Sequence, residues 1–313
     1  MNHRLAQMNN HFSGTKMPMF TLKTFVPFDF ESAGNLKGKT IFITGASRGI
    51  GLEIAKRCAR DGANIAIAAK TVKDHPKLPG TIYTAAKEIE ACGGKALPIQ
   101  CDIRDEASCK DAIEKTVETF GGLDILINNA SAIQPVGVEA MDVKRFDLIM
   151  SINTRGTFVC SKYAIPHLRK SKNPHILTIS PPLYMGNDQI NWFAKMGTGY
   201  VLGKYGMTLI THGLAGELKD DNVGCNTLWP RTAIQTAAVQ NLLGGDSTMA
   251  GSRTAGIMAD SAYVILTSDS KKTTDNFFLD DEVLLSSGET IDSLDKYLPK
   301  GCTNAKLVPD FMC

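Results

Sequence analysis

The chain has 313 residues, 43% of them hydrophobic and 21% charged, with a formal net charge of +2. That balance gives no electrostatic case for nucleic acid or an anionic membrane, and no apolar run approaches the ~18 residues of a membrane-spanning helix. Eight cysteines, at Cys58, Cys92, Cys101, Cys109, Cys160, Cys225, Cys302 and Cys313, form no C-x-x-C pair and stand apart from the histidines, which points to buried thiols in a reducing compartment rather than a zinc site.

The first 28 residues hold Arg4, Lys16 and Lys23 and no acidic residue before Asp29. Such an acid-poor basic start reads either as an organelle transit peptide or as a disordered lead-in. Residues 1–37 are therefore set apart as an N-terminal extension, with a mitochondrial or a cytosolic location following from the two readings. The closing Phe311-Met312-Cys313 is not a peroxisomal signal.

From residue 38 onward, short apolar runs alternate with stretches of helical spacing. Thr40–Thr44 predicts strand one and residues 50–60 a helix. Residues 64–68 predict strand two, and residues 82–92 a helix stopped by Gly93-Gly94. Residues 96–101 predict strand three, and Glu106–Phe120 a helix closed by Gly121-Gly122. Residues 124–127 predict strand four, followed by helices over residues 143–153 and 156–170. His175–Ile179 predicts strand five, residues 198–219 a long helix, residues 223–228 strand six, residues 254–266 a helix and Asn276–Leu279 strand seven. Strands separated by helices imply βαβ units, hence an α/β, doubly wound parallel sheet of Rossmann type with about seven strands and helices on both faces. One dinucleotide-binding catalytic domain is expected over residues 38–285, with residues 286–313 as a loosely packed tail. Residues 183–199 and 231–253 carry no periodic signal and read as loops.

Thr44-Gly45-Ala46-Ser47-Arg48-Gly49-Ile50-Gly51 follows strand one and opens helix one. Gly45 permits a tight turn, Gly49 lets the backbone approach a pyrophosphate, and Gly51 lets helix and strand pack closely. The helix N-terminus then offers free N–H groups to phosphates. Residues 45–51 are thus the candidate cofactor-binding turn, although the spacing is G-x-x-x-G-x-G. Strand two runs into Ala68-Ala69-Lys70-Thr71 with no carboxylate to hold a ribose 2′-hydroxyl. Lys70, with help from Arg48, suits a 2′-phosphate, so the expected cofactor is NADP.

Tyr200 and Lys204 stand four apart at the start of the long helix after strand five, on one helix face. An ammonium beside a phenol favours the phenolate and would bring the tyrosine pKa toward neutrality, fitting it to exchange a proton with a substrate oxygen. Tyr83 and Lys87 repeat the spacing after strand two, away from the expected catalytic wall, and read as a surface pair.

Thr44–Gly51, Asp102, Asn128-Asn129-Ala130, Asn153 and Tyr200-x-x-x-Lys204, in this order, resemble the short-chain dehydrogenase/reductase family over residues 38–280. The resemblance implies that Asp102 holds the adenine, that Asn128 and Asn129 brace the central strand beside the cofactor, and that Asn153 anchors a water in a proton relay. It also implies that Lys204 binds the nicotinamide ribose and that the chain forms a homo-oligomer. Residues 68–71, 75–78 and 80–86, with Ile179-Ser180-Pro181-Pro182, Lys204-Tyr205-Gly206-Met207 and Leu228-Trp229-Pro230, are similar to the hydroxysteroid dehydrogenase-like branch of that family. Members of that branch often carry a sterol-carrier domain and a peroxisomal signal, which makes a peroxisomal location a further expectation by resemblance.

Three positions depart from the family pattern. Ser131 follows Asn128-Asn129-Ala130 where glycine is usual, and Arg231 follows Pro230 where glycine is usual. Pro181 falls where a serine usually hydrogen-bonds the substrate carbonyl. Ser180, one residue earlier, is the candidate replacement. Trp192 and Phe193, in a stretch longer than usual between strand five and Tyr200, read either as an apolar wall or as loop packing. The expected activity is NADP-dependent interconversion of a carbonyl and an alcohol on a lipophilic substrate such as a fatty-acyl or steroid derivative. The alternative is an NADP-binding sensor or scaffold with weak catalysis, which Pro181 and Arg231 favour. No nucleic-acid partner and no metal are expected.

Overall fold

The computed structural model describes residues 27–74, 78–183 and 189–310. The earlier part of the acid-poor lead-in lies outside them. Seven strands form one parallel sheet: β1 (Thr40–Thr44), β2 (Asn64–Ala69), β3 (Lys95–Gln100), β4 (Ile125–Asn128), β5 (His175–Ile179), β6 (Gly224–Trp229) and β7 (Asn276–Leu279). Their order is β3-β2-β1-β4-β5-β6-β7, so the winding reverses between β1 and β4, the place where such sheets open a ligand crevice at their carboxyl ends. The doubly wound α/β arrangement is the one expected.

Alternation along the strands divides the core between two faces. Ile41, Ile43, Ile65 and Ile67 point one way, against α1 (Gly49–Ala59), α2 (Ile82–Ala91) and α10 (Gly256–Leu266). Phe42, Ala66, Leu126 and Ile176 point the other way, against α3 (Glu106–Phe120), α5 (Thr154–Leu168) and α7 (Thr198–Glu217). Strand cores buried on both sides read as continuous apolar runs, which is why the β-branched segments were legible. Between these helices, α4 (Val143–Ile152) stops at Asn153 and α5 begins directly after it.

Four helices fall outside the expected pattern. Three lie in the stretches read as loops: α6 (Gln189–Met196) before α7, and the six-residue pair α8 (Ala237–Leu242) and α9 (Gly245–Ala250). Six residues span fewer than two turns, too few to show periodicity. The fourth, α11 (Asp280–Ser286), leaves β7 without a connecting loop and carries Asp280, Asp281 and Glu282 in its first turn, favourable at a helix N-terminus.

The C-terminal segment is not loose. Leu294 and Tyr297 are buried, Tyr297 donating to Asp260 on α10 at 2.6 Å. Residues 307–310 then form a strap: Val308 N donates to Gly251 O, Val308 O accepts from Ala233 N, Pro309 bridges Thr232, and Asp310 N donates to Arg231 O at 2.9 Å. At the other end, Phe28 and Phe30 pack on Phe278 of β7, with ring centroids 5.2 and 5.4 Å away.

Candidate active site

One cleft of about 1040 Å³ runs along the carboxyl ends of the strands, from the turn after β1 to the start of α7. Its size is at the top of the ~300–1,000 Å³ usual for small-molecule sites. Gly45, Ser47, Arg48, Gly49 and Ile50 line one end, Lys70 and Asp102 the side, and Tyr200 and Lys204 the other end. Residues some 150 positions apart in the chain are therefore brought to one surface.

The glycine turn is shaped by its neighbour strand. Asn129, just after β4, donates through Nδ2 to Thr44 O at 2.9 Å and Gly45 O at 3.2 Å, while Thr44 Oγ1 accepts from the N–H groups of Asn129 and Ala130. A Cβ on Gly51 would stand 2.5 Å from Asn129 Nδ2, and one on Gly45, where φ is +70°, would stand 2.9 Å from Ala130 Cα. Gly49 differs: its nearest neighbour is Thr236 Cγ2 at 3.7 Å, so space remains over the turn. Helix α1 starts there without a side-chain cap, leaving N–H groups available to an anion. Open space, an uncapped helix start and an elongated cleft fit a dinucleotide.

Arg48 extends away along the residue 78–80 segment, donating to the carbonyls of Leu78, Pro79 and Gly80 at 3.2, 3.0 and 2.6 Å. Lys70 is half exposed, with its ammonium 3.9 Å from Asp102. Asp102 also receives Arg104, at 2.9 Å from Nε and 2.5 Å from Nη2. The Arg104 guanidinium holds the Asp102 carboxyl below the usual carboxylate range, with Lys70 adding to the effect.

Tyr200 and Lys204 face the cleft from the first two turns of α7, and both are nearly fully buried. Lys204 Nζ donates to Ile179 O, the last residue of β5, at 2.8 Å. It also lies 5.1 Å from the ring of Trp229, which closes β6. The Trp229 indole N–H in turn donates to Asp310 Oδ1 of the strap at 3.1 Å. Burial pushes the Lys204 amine down to about 7, opposed by the charge of Asp310. Burial pushes the Tyr200 phenol up, and Asp310 adds to that rise. Burial thus raises the phenol where an acidification by its lysine was expected, and Asp310, which sequence reasoning missed, acts on both groups. The surroundings of the pair are apolar. Met196, Tyr200, Val201 and Tyr205 form a cluster joined by Ile133 and Leu243. Phe193 stacks on Tyr205 at 6.1 Å and packs behind the wall; the side chain of Trp192 lies outside the described residues. Tyr83 of the second spaced pair is exposed on α2.

Asn153 is fully buried, accepting from Ala132 N at 2.8 Å and donating to Ala132 O at 3.1 Å. It holds in place the residue 130–132 segment, which itself lines the cleft. Asn128 donates to Ser161 on α5 at 3.3 Å, bracing β4 from the opposite face.

Residues 39–244 match the model of the short chain dehydrogenase family. The chain belongs to that family. Hydroxysteroid dehydrogenase-like protein 2 of Danio rerio is 51% identical over 281 residues, covering 90% of this chain and 65% of the relative. Its Homo sapiens counterpart is 50% identical over 280 residues, covering 90% and 64%. The chain thus spans about two thirds of the length of these relatives. Among solved structures, a short chain dehydrogenase from Mycobacterium thermoresistibile is 53% identical with a TM-score of 0.81, covering 88% of this chain and 95% of that one. An NADH-dependent reductase A1-R' complexed with NAD is 26% identical with a TM-score of 0.63, covering 78% and 95%.

Against the short-chain dehydrogenase pattern, two sites are rebuilt. Ser180 is fully buried under α7, where Thr208 Oγ1 donates toward its Oγ at 3.0 Å, and it does not line the cleft. The carbonyl of Pro181 accepts from the same Thr208 hydroxyl at 2.7 Å. The hydroxyl expected to replace the usual serine is therefore turned into the β5–α7 interface, because neighbouring residues at a strand end face opposite ways. Arg231, in the usual glycine position, reaches Asp281 and Glu282 of α11 at 2.6 Å each and donates its backbone N–H to Asp280. Five of the seven described cysteines, all free thiols, are buried. Among the described residues no cluster could hold a metal and no helix is long and apolar enough to cross a membrane.

Proposed function

We propose that this chain is an NADP-dependent short-chain dehydrogenase/reductase that reduces a carbonyl on a lipophilic substrate, with Tyr200 as the proton donor. The carrying observation is that Tyr200 and Lys204 line the same cleft as the uncapped glycine turn. A nicotinamide dinucleotide bound there supplies the hydride. Residues 45–51 and Asn129 cradle its phosphates and Lys70 meets the 2′-phosphate. Asp102 faces the adenine, and the Lys204 ammonium, with two of its three donors left after Ile179, reaches the nicotinamide ribose.

The raised Tyr200 phenol favours the reductive direction. A tyrosine kept protonated near neutrality is ready to donate to the oxyanion that forms as hydride arrives. With Ser180 out of the cleft, the carbonyl oxygen is held by Tyr200, beside the 130–132 segment that Asn153 positions. The apolar lining around Tyr200, with Ile133, Met196, Val239 and Leu243, suits a lipophilic substrate. Exposed Phe158 on α5 and Leu209 on α7 support a homo-oligomer joined through those helices.

The test is NADPH consumption by purified protein over a panel of lipophilic aldehydes and ketones. Wild type is expected to turn over, and Tyr200→Phe to lose at least about a hundredfold in kcat with NADPH binding retained. Tight NADPH binding without turnover would instead favour the sensor or scaffold reading.

A further inference from the structure

The strap brings a carboxylate into the cleft at its proton-transfer end. Asp310 lines the cleft together with Tyr200, Lys204 and Trp229. Its backbone N–H is fixed to Arg231 O at 2.9 Å, and its Oδ1 accepts from the Trp229 indole at 3.1 Å. Trp229 therefore stands between the two charges, its ring 5.1 Å from the Lys204 ammonium and its N–H on the Asp310 carboxylate. The other charged groups lining the cleft are Lys195 on α6, at the same end, and Arg48, Lys70 and Asp102 along the glycine-turn side.

We propose that Asp310 is a positioning residue of the Tyr200–Lys204 pair that also selects against carbonyl compounds carrying a negative group beside the reacting carbon. This rests on the carbonyl-reducing reading of the same site. A fixed negative charge favours the protonated form of both partners, keeping the ammonium charged and the phenol a donor in a buried setting that opposes the first. The same charge repels a substrate carboxylate in a cleft lined near Tyr200 by apolar side chains, where like charges are costly to bring together. Neutral aldehydes, ketones and keto esters are the class admitted.

The experiment compares benzoylformate with its methyl ester, a neutral probe one methyl group larger, as substrates with NADPH across pH. Asp310→Asn keeps the acceptor for the Trp229 indole and removes only the charge; Asp310→Glu restores the charge. The expected result is that Asp310→Asn raises kcat/KM for the acid relative to the ester about tenfold. It should also lower the pH midpoint of the ester reaction by about one unit, while Asp310→Glu behaves as wild type in both. An equal loss on both substrates with an unmoved midpoint would overturn the inference. Should wild type turn over neither probe, the carbonyl-reducing reading fails by itself. Lysine-selective NMR titration, assigned with Lys204→Met, then decides the role of Asp310: a Lys204 midpoint lowered in Asp310→Asn supports it, and an unchanged one removes it.

Discussion

Thr208 ties Ser180 into the interior: its hydroxyl lies 3.0 Å from Ser180 Oγ and 2.7 Å from Pro181 O, so both residues at the end of β5 are bonded to the third turn of α7. The serine is thereby a packing residue of the wall that carries Tyr200. Ser180→Ala is expected to leave kcat within about threefold of wild type and to cost about 1 kcal/mol of stability. Thr208→Val, which also strips the donor from Pro181 O, should cost more and lower kcat through Lys204, one turn away. Steady-state rates and urea unfolding of the two variants check this. A collapse of kcat in Ser180→Ala with unchanged stability would return the hydroxyl to the reaction.

Lys70 follows β2 with its ammonium half exposed and 3.9 Å from Asp102, whereas the charge of Arg48 is spread over three backbone carbonyls. Selectivity for NADPH over NADH should therefore rest mainly on Lys70. Lys70→Glu is expected to raise the KM for NADPH about tenfold or more, leaving that for NADH equal or lower. Arg48→Ala should loosen the 78–80 segment and weaken both cofactors alike. Initial rates with each cofactor separate the two outcomes.

His175, fully buried at the start of β5, shares a hydrogen bond with Ser268 O at 3.1 Å, and burial pushes its imidazole down to about 4. Its unfolded value is about 6.5, so the unfolded chain takes up the proton first and stability is lost as pH falls from about 6.5 to about 4, by about 3 kcal/mol in all. Asp280, pushed up to about 7 by burial and by Asp281, has the opposite slope. Comparing wild type with His175→Gln by urea unfolding across this window cancels that contribution, and the variant should lose less stability on acidification. Parallel curves would mean that His175 is already charged in the fold.

Phe158 and Leu209 are 57% and 55% exposed on adjacent helices α5 and α7, a large apolar investment for a surface left in water. Light scattering is expected to find an oligomer for wild type and a monomer for the double variant Phe158→Arg/Leu209→Arg, with NADPH still bound. A monomeric wild type would refute the assignment of this face.

Gly197, which precedes α7, has φ of +78° and a Cβ there would come within 2.0 Å of Val136 O. Gly197→Ala should displace the start of α7 from the 130–136 segment, moving Tyr200 and costing at least about 3 kcal/mol. Thermal melting and kcat should fall together.

The frame of the molecule was legible because its signals are local. Ile-rich runs such as Thr40–Thr44 betray strands buried on both faces, and Gly45, Gly49 and Gly51 mark a turn whose partner, Asn129, sits in a recognisable Asn-Asn-Ala context. What escaped is set by distance and by burial. Trp229 and Asp310 are 81 positions apart, and nothing in either neighbourhood announces their bond. The spacing of Tyr200 and Lys204 indicates a shared face but not how dry that face is, so the sign of the tyrosine shift had to come from the fold. Ser180 looked available because sequence alone cannot say which way a strand end turns once two prolines follow it. Helices α8 and α9 are too short to declare themselves by periodicity.

The strap also has a bearing on how the protein is made. Sheet and helices through β6 precede the strap in the chain, and the indole N–H of Trp229 bonds a residue that follows it by 81 positions. Until Asp310 emerges, the indole and the apolar walls around Tyr200 stand open to water and to passing chains. Nascent protein truncated ahead of the strap should therefore be the form most exposed to chaperones, well ordered in its sheet yet unfinished around Tyr200 and Lys204.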